Sequence, residues 1–198
     1  MNSTYYNPPK WTETCAPTTN IPNYRHEVIR CVVHDPTAWI LGGVSGNAGV
    51  FSNHGDLIIF MRMMLNKGAY TAADGSTQQL IKPETIELFT TAPHDLPYNN
   101  TRALGWDTIP PGYPNVCGQK FTPGFSFGHT GYTGTTLWAD SKRGFALISL
   151  TNRVWPYDTA AMGWYRNNLA NMIIDRIDQN ATATSFNTPS FQENPTFM

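Results

Sequence analysis

The 198-residue chain carries 13 Lys+Arg against 14 Asp+Glu, a formal net charge of −1, and only 14% of its residues are charged. That length suits one domain with a sizeable core, and no basic concentration of the kind that binds nucleic acid is present. The longest apolar stretch, Leu57 to Leu65, is about half of what a membrane span needs.

Three cysteines, Cys15, Cys31 and Cys117, leave two arrangements open: one bridge with a free thiol, or three reduced thiols. Sequons at Asn2, Asn99 and Asn180 arise readily by chance in a chain so rich in Asn and Thr, and they do not establish secretion. Met1-Asn2-Ser3-Thr4 lacks the basic and apolar regions of a signal peptide, so the compartment stays open, an extracytoplasmic one included. His26, His34, His54, His94 and His129 stand at no metal-ligand spacing from Cys or acids. Neither a metal nor a cofactor is expected.

Residues 1 to 24 are rich in Pro, Thr and Asn, lack periodicity, and read as an irregular leader. Arg25 to Val33 reads as a short extended piece, broken at His34-Asp35-Pro36-Thr37. The glycine-rich run Gly42 to Gly49 excludes a regular strand. A helix is predicted over 54–66: Asn53 is a good N-cap, Asp56 suits the positive helix end, and Leu57, Phe60, Met61, Met64 and Leu65 form one apolar stripe. A second helix begins at Pro83 and runs to about Phe89.

Arg102 to Asp107 reads as a short strand, and the Pro/Gly-broken stretch 109–125 as a long loop. Thr135 to Asp140 and Gly144 to Thr151 read as an antiparallel hairpin. The second of these is nearly all apolar, which predicts a central strand covered on both faces. A long helix follows from about Thr159 to Ile177, with a stripe of Met162, Tyr165, Leu169, Met172, Ile173 and Ile177. The tail 179–198 is polar and reads as disordered. The order of elements, with no βαβ alternation, predicts an α+β fold: an antiparallel sheet flanked by helices, with 25–178 as the folded domain.

The densest run of chemistry-bearing residues is Phe127-Gly128-His129-Thr130-Gly131-Tyr132-Thr133-Gly134, where glycines leave the backbone open around a histidine and a hydroxyl. It belongs to an ordered series. Gly42 to Ser52 comes first, then Asp56-Leu57, Leu104-Gly105-Trp106-Asp107, the His-Thr-Gly run, and finally Leu150-Thr151-Asn152-Arg153-Val154 with Pro156. This series resembles the serine β-lactamase-like hydrolases: class C β-lactamases, penicillin-binding DD-peptidases and related esterases. The resemblance covers roughly residues 25 to 178 and implies the C-terminal part of a β-lactamase/transpeptidase-like fold.

It also implies a function: acyl transfer on an amide, β-lactam or ester, with a small-molecule or peptide-like substrate. Such sites combine a Ser-x-x-Lys, a Tyr-x-Asn and a Lys-Thr-Gly or His-Thr-Gly. None of the nine serines here has lysine three residues later. Tyr5-Tyr6-Asn7 and Tyr98-Asn99-Asn100 fit the second pattern by letter, but one lies in the leader and the other in a polar loop. The chain thus reads as a fragment without its nucleophile, inactive by itself.

On this resemblance the catalytic candidates are His129, Thr130 and the Tyr132 N–H, an oxyanion donor. Gly131, Asn152 and Arg153 are the substrate-binding candidates, Arg153 by bidentate capture of a carboxylate. Blander readings stand beside these. His129 serves equally as a satisfied structural histidine, Gly131 as a site of sheet twist, and Asn152 and Arg153 as caps. Two rival functions remain. One is an inactive binding or interaction remnant. The other is an unrelated serine hydrolase in which Ser45, Asp107 and His129 occur in α/β-hydrolase order, although Gly43-Val44-Ser45-Gly46-Asn47 lacks the last glycine of that motif.

Overall fold

The structure, a computed structural model, describes residues 1–9, 15–18, 28–93, 101–110, 117–160 and 162–184. The expected pieces at 25–27, Tyr98-Asn99-Asn100 and 185–198 lie outside the described residues.

The N-terminal stretch is less irregular than its composition implies. Residues Tyr5–Tyr6 form β1, which pairs antiparallel with β2, Val50–Phe51. Pro36–Ile40 form α1, a short helix capped by Asp35, whose carboxylate accepts the Ala38 N–H at 2.8 Å. Residues 28–33, expected as an extended piece, form no named strand. Cys15 and Cys31 are joined in a disulfide, and Cys117 is buried outside that bridge. Burial pushes the Cys117 thiol up to about 12, which makes it a poor nucleophile at neutral pH.

Helix α2 spans His54–Leu65, and Asn53 caps it by accepting the Asp56 N–H at 2.9 Å. The Asp56 carboxylate has a second task beyond the helix dipole. It accepts the Ser3 N–H at 2.8 Å and the Thr4 hydroxyl at 2.7 Å, and so ties β1 to the start of α2. Those bonds, the Thr4 hydroxyl first, hold its pKa below the usual range. A hairpin that the sequence did not suggest follows: β3, Ala69–Thr71, against β4, Thr77–Gln79. Helix α3 spans Pro83–Thr90 as expected.

The main sheet has four antiparallel strands in the order β5-β6-β7-β8: Asp107–Thr108, Ser126–Thr130, Thr136–Asp140 and Phe145–Ser149. Residues 103–106 are a turn rather than the expected strand: the Ala103 N–H donates to Trp106 O, and Arg102 bridges Asp107 across it. The predicted hairpin is present, with Trp138 opposite Leu147. Its second strand, β8, is terminal among the described strands, not central, but both its faces are covered. Ile148 and Ala146 pack with the α2 methionines, while Leu147 packs on the other side with Trp138 and the last helix.

That last helix, α4, spans Met162–Thr184 and so continues past the point where a disordered tail was expected. Its buried residues are Ala170 and Ile174. Met172, placed in the stripe by hydropathy, is 70% exposed. Ala170 and Ile174 pack with Trp138 and Leu147, and Leu169 and Ile173 of the expected stripe pack beside them, partly buried. On α2, Met63 is buried alongside Met61 and Met64. The sheet thus lies between two helical layers with α2 and α3 on one face and α4 on the other, the mixed α+β arrangement expected.

Candidate active site

The run Ser126–Thr130 is a strand in its own right. Gly128 explains why: a Cβ there would lie 2.4 Å from the Trp138 ring and from Leu137 O. Its absence lets the Trp138 indole lie against the backbone of β6. Gly128→Ala is expected to destabilise the chain by about 1–3 kcal/mol through overpacking. Thermal unfolding checks this, at about 2–4 °C per kcal/mol for a chain of this size. An unchanged melting temperature would remove close packing as the reason for this glycine.

Strand pleating separates the two named side chains. His129 lies opposite Leu137, which packs with the α2 cluster, whereas Thr130 lies opposite Thr136, whose hydroxyl accepts from Arg166 of α4. Residues facing each other across a ladder share a face, so His129 and Thr130 project from opposite faces. Strand β6 is internal, not an edge. On its β5 side β6 is unpaired at Ser126, His129 and Thr130, because β5 pairs with Phe127 and Gly128 alone.

His129 is half exposed and held at both ring nitrogens. Arg102 Nη1 lies 2.7 Å from Nε2, and Nδ1 lies 2.9 Å from Thr130 O. A guanidinium only donates and a carbonyl only accepts, so the arrangement corresponds to the Nδ1–H tautomer with Nε2 accepting from arginine. Asp107 completes the cluster, at 2.9 Å from Arg102 Nε and 4.0 Å from His129 Nε2. The Thr130 hydroxyl makes no hydrogen bond among the described residues.

Beyond Thr130 the chain turns. Gly131 N–H donates to Thr135 O at 2.8 Å, and Gly134 N–H donates to Gly131 O at 3.1 Å. Gly134 has φ 120° and sits against Thr151 O, a conformation and a space that suit only glycine. The Tyr132 N–H, at the tip, makes no hydrogen bond among the described residues. The rest of Tyr132 is fixed. Its hydroxyl donates to Asp158 Oδ2 at 2.7 Å, its ring lies 4.3 Å from Arg153 Cζ and stacks on His34, and its carbonyl accepts from Arg153 Nε at 2.6 Å.

Arg153 is therefore already engaged, since Nη1 also donates to Asp158 Oδ1 and to Thr159 O. Only its Nη2 has no partner among the described residues. Asn152 donates to Pro17 O at 2.7 Å and accepts the Val154 N–H at 3.1 Å. Ser45 donates to Asn47 Oδ1 at 2.5 Å, and it is not bonded to His129. The structure thus brings His129, Thr130, Gly131, Tyr132 and Arg153 to one end of the sheet, with Asn152 tied to the N-terminal segment.

Arg102, Asp158 and Arg166 were missed as contributors. Arg166 had a signal: a cation standing four and eight residues before the small and apolar Ala170 and Ile174 on one helix face needs buried acceptors.

The strand order, the His-Thr-Gly turn and the helix across the sheet define the chain as a mixed α+β unit, an antiparallel sheet between helical layers. The family model described as Beta-lactamase matches residues 1–172, and the chain belongs to that family. A protein of Escherichia coli strain K12 named "Putative D-alanyl-D-alanine carboxypeptidase" is 34% identical over 140 residues, covering 68% of this chain and 29% of that protein. A Salmonella enteritidis protein of the same name is 35% identical over 143 residues, with the same shares. The chain therefore spans 29% of the length of these curated relatives. Among solved structures, a beta-lactamase from Mycobacterium bovis aligns with TM-score 0.49 and 18% identity, over 66% of this chain and 46% of that one. No helix of the described residues is long and apolar enough to cross a membrane.

Proposed function

We propose that this chain supplies one wall of an acyl-transfer site of the serine-hydrolase type, and that the nucleophile comes from a Ser-x-x-Lys segment outside this sequence. The observation that carries the reading is the Tyr132 N–H, which makes no hydrogen bond among the described residues although every carbonyl of the turn from Gly131 to Thr135 is held; the Thr133 N–H beside it is unbonded too. In acyl transfer the serine oxygen bonds to the carbonyl carbon, its proton passes to a neighbouring base, and the carbonyl oxygen becomes an anion. The carbon–nitrogen or carbon–oxygen bond then breaks as the leaving group takes the proton. One fixed backbone donor at the anion is worth about 2.7–4 kcal/mol.

In this reading Thr130 and the Tyr132 N–H touch substrate, and His129 orients it and moves a proton at Nε2. Gly131 keeps the turn open, Arg153 Nη2 is the remaining donor for a substrate carboxylate, and Asn152 supports the segment behind it. The names of the relatives favour a peptide-like substrate ending in a free carboxylate.

A chimera tests this, with the chain replacing the matched segment of the E. coli relative. Stoichiometric labelling by a fluorescent penicillin is expected, on a serine of the relative's part. The chain alone should take up no fluorophosphonate. A chimera that folds but is never acylated, or an adduct on any serine of the chain alone, sinks the reading.

A further inference from the structure

We propose that Arg166, on α4, is the positioning residue that aims and polarises the Tyr132 N–H; the inference rests on the reading of that N–H as an oxyanion donor. Arg166 Nη2 donates to Gly131 O at 2.8 Å and to Thr135 O at 3.1 Å, while Nε donates to Thr136 Oγ1 at 2.9 Å. Gly131 O and Tyr132 N–H belong to one peptide unit. In a planar trans peptide these two groups point in opposite directions. A carbonyl drawn toward α4 therefore sends the N–H away from α4, out of the turn.

The turn contributes its own restraint, since Gly134 N–H also reaches Gly131 O, but at 3.1 Å and without charge. Hydrogen bonds from a guanidinium are roughly twice as strong as neutral ones, so Arg166 supplies the stronger of the two. A cation on the carbonyl also withdraws charge across the peptide and makes its N–H a better donor. The three donor contacts explain why the half-buried arginine is held there: Thr135, Thr136 and Gly131 give it acceptors on one side of the turn. The next peptide unit is held separately, by Arg153 Nε on Tyr132 O. Two arginines from different parts of the chain thus clamp the carbonyls on either side of Tyr132.

Nitrogen-15 relaxation of the 198-residue chain tests the proposal without any hydrolysis. In wild type the Tyr132 amide should be as rigid as the sheet, with an order parameter of about 0.85. In Arg166→Met it should fall below about 0.6, the flexible range. The Gly131 and Gly134 amides, held by bonds within the turn, should keep their values. Arg166→Lys, which retains a cation able to reach one carbonyl, should restore much of the difference.

A Tyr132 amide that stays rigid in folded Arg166→Met overturns the proposal. So does a uniform loosening of Gly131, Tyr132 and Gly134, which would make Arg166 only a support of the turn. If Arg166→Met does not fold, residual dipolar couplings of the wild-type chain decide: the Tyr132 N–H vector must point away from α4. Because acylation of the chimera is a separate readout, failure of the functional reading and failure of this one are distinguishable.

Discussion

Asp140→Ala should destabilise the chain by about 3–5 kcal/mol, the cost of breaking a buried ion pair from one side. Asp140 ends β7 and its side chain has no solvent exposure. One carboxylate oxygen accepts the Thr122 N–H at 2.9 Å, the Thr122 hydroxyl at 2.7 Å and Arg143 Nη1 at 2.7 Å. The other accepts the Lys142 and Arg143 N–H groups, each at 3.1 Å. Arg143 carries the connection on to Asp178 of α4 through two bonds of 2.9 Å. The substitution would leave that arginine facing a void and five donors without their acceptor.

The same group sets a pH dependence. Burial raises the Asp140 pKa, but the Thr122 and Arg143 hydrogen bonds together outweigh it and hold the carboxyl below its ordinary 3.8. A depressed folded-state pKa contributes stability that is complete above the unfolded value and is lost as pH falls through the folded one. The difference between wild type and Asp140→Asn should therefore be constant from pH 7 to about 4 and shrink below that. Urea unfolding at pH 7, 5 and 3 measures it. A difference that grows on acidification would refute the assignment.

His129→Ala in the acylated chimera should lower turnover by about 10²-fold, the lower end of what a positioned acid–base group contributes. Strand β6 should persist, because Phe127 and Gly128 hold it to both neighbours. The glutamine variant separates two roles. A glutamine oxygen can still accept from Arg102, but it cannot relay a proton. Loss in both variants supports proton movement at Nε2. Activity kept by glutamine and lost in alanine reduces His129 to holding Arg102 and Asp107 in place. Wild-type turnover in the alanine variant leaves the histidine no part in the chemistry.

Legibility in the sequence followed the reach of the interactions. The hairpin from Thr136 to Ser149, the Asn53 cap and the Pro83 helix start rest on neighbouring residues, and each was readable. The face of α4 was readable in part: Leu169 and Ile173 pack on the core as expected, whereas Met172 is exposed and the fully buried positions are Ala170 and Ile174. The separate standing of Ser126–Thr130 depends on Trp138 filling the space that Gly128 leaves, which composition does not report. Asp56 announced itself as a helix-start acid, yet its bonds run to Ser3 and Thr4, about fifty positions away. In the candidate site, His129, Thr130 and Tyr132 came from a motif. Arg102 and Arg166 came from geometry: each reaches its acceptors across a distance in sequence, 27 residues for Arg102 to His129 and 35 for Arg166 to Gly131.

The alternation of His129 and Thr130 has a geometric corollary. A sheet is a barrier one backbone thick, and no compact molecule touches both of its sides across the middle. A guest that meets the imidazole and the hydroxyl together must straddle the rim, where β6 ends and the turn begins. At that rim the two sides answer to different neighbours, the imidazole to Arg102 and the α2 layer, the hydroxyl and the turn to α4. If the turn does bind a substrate as proposed, substitutions on α4 would retune that side while the imidazole side keeps its setting, and the reverse would hold for changes around Arg102.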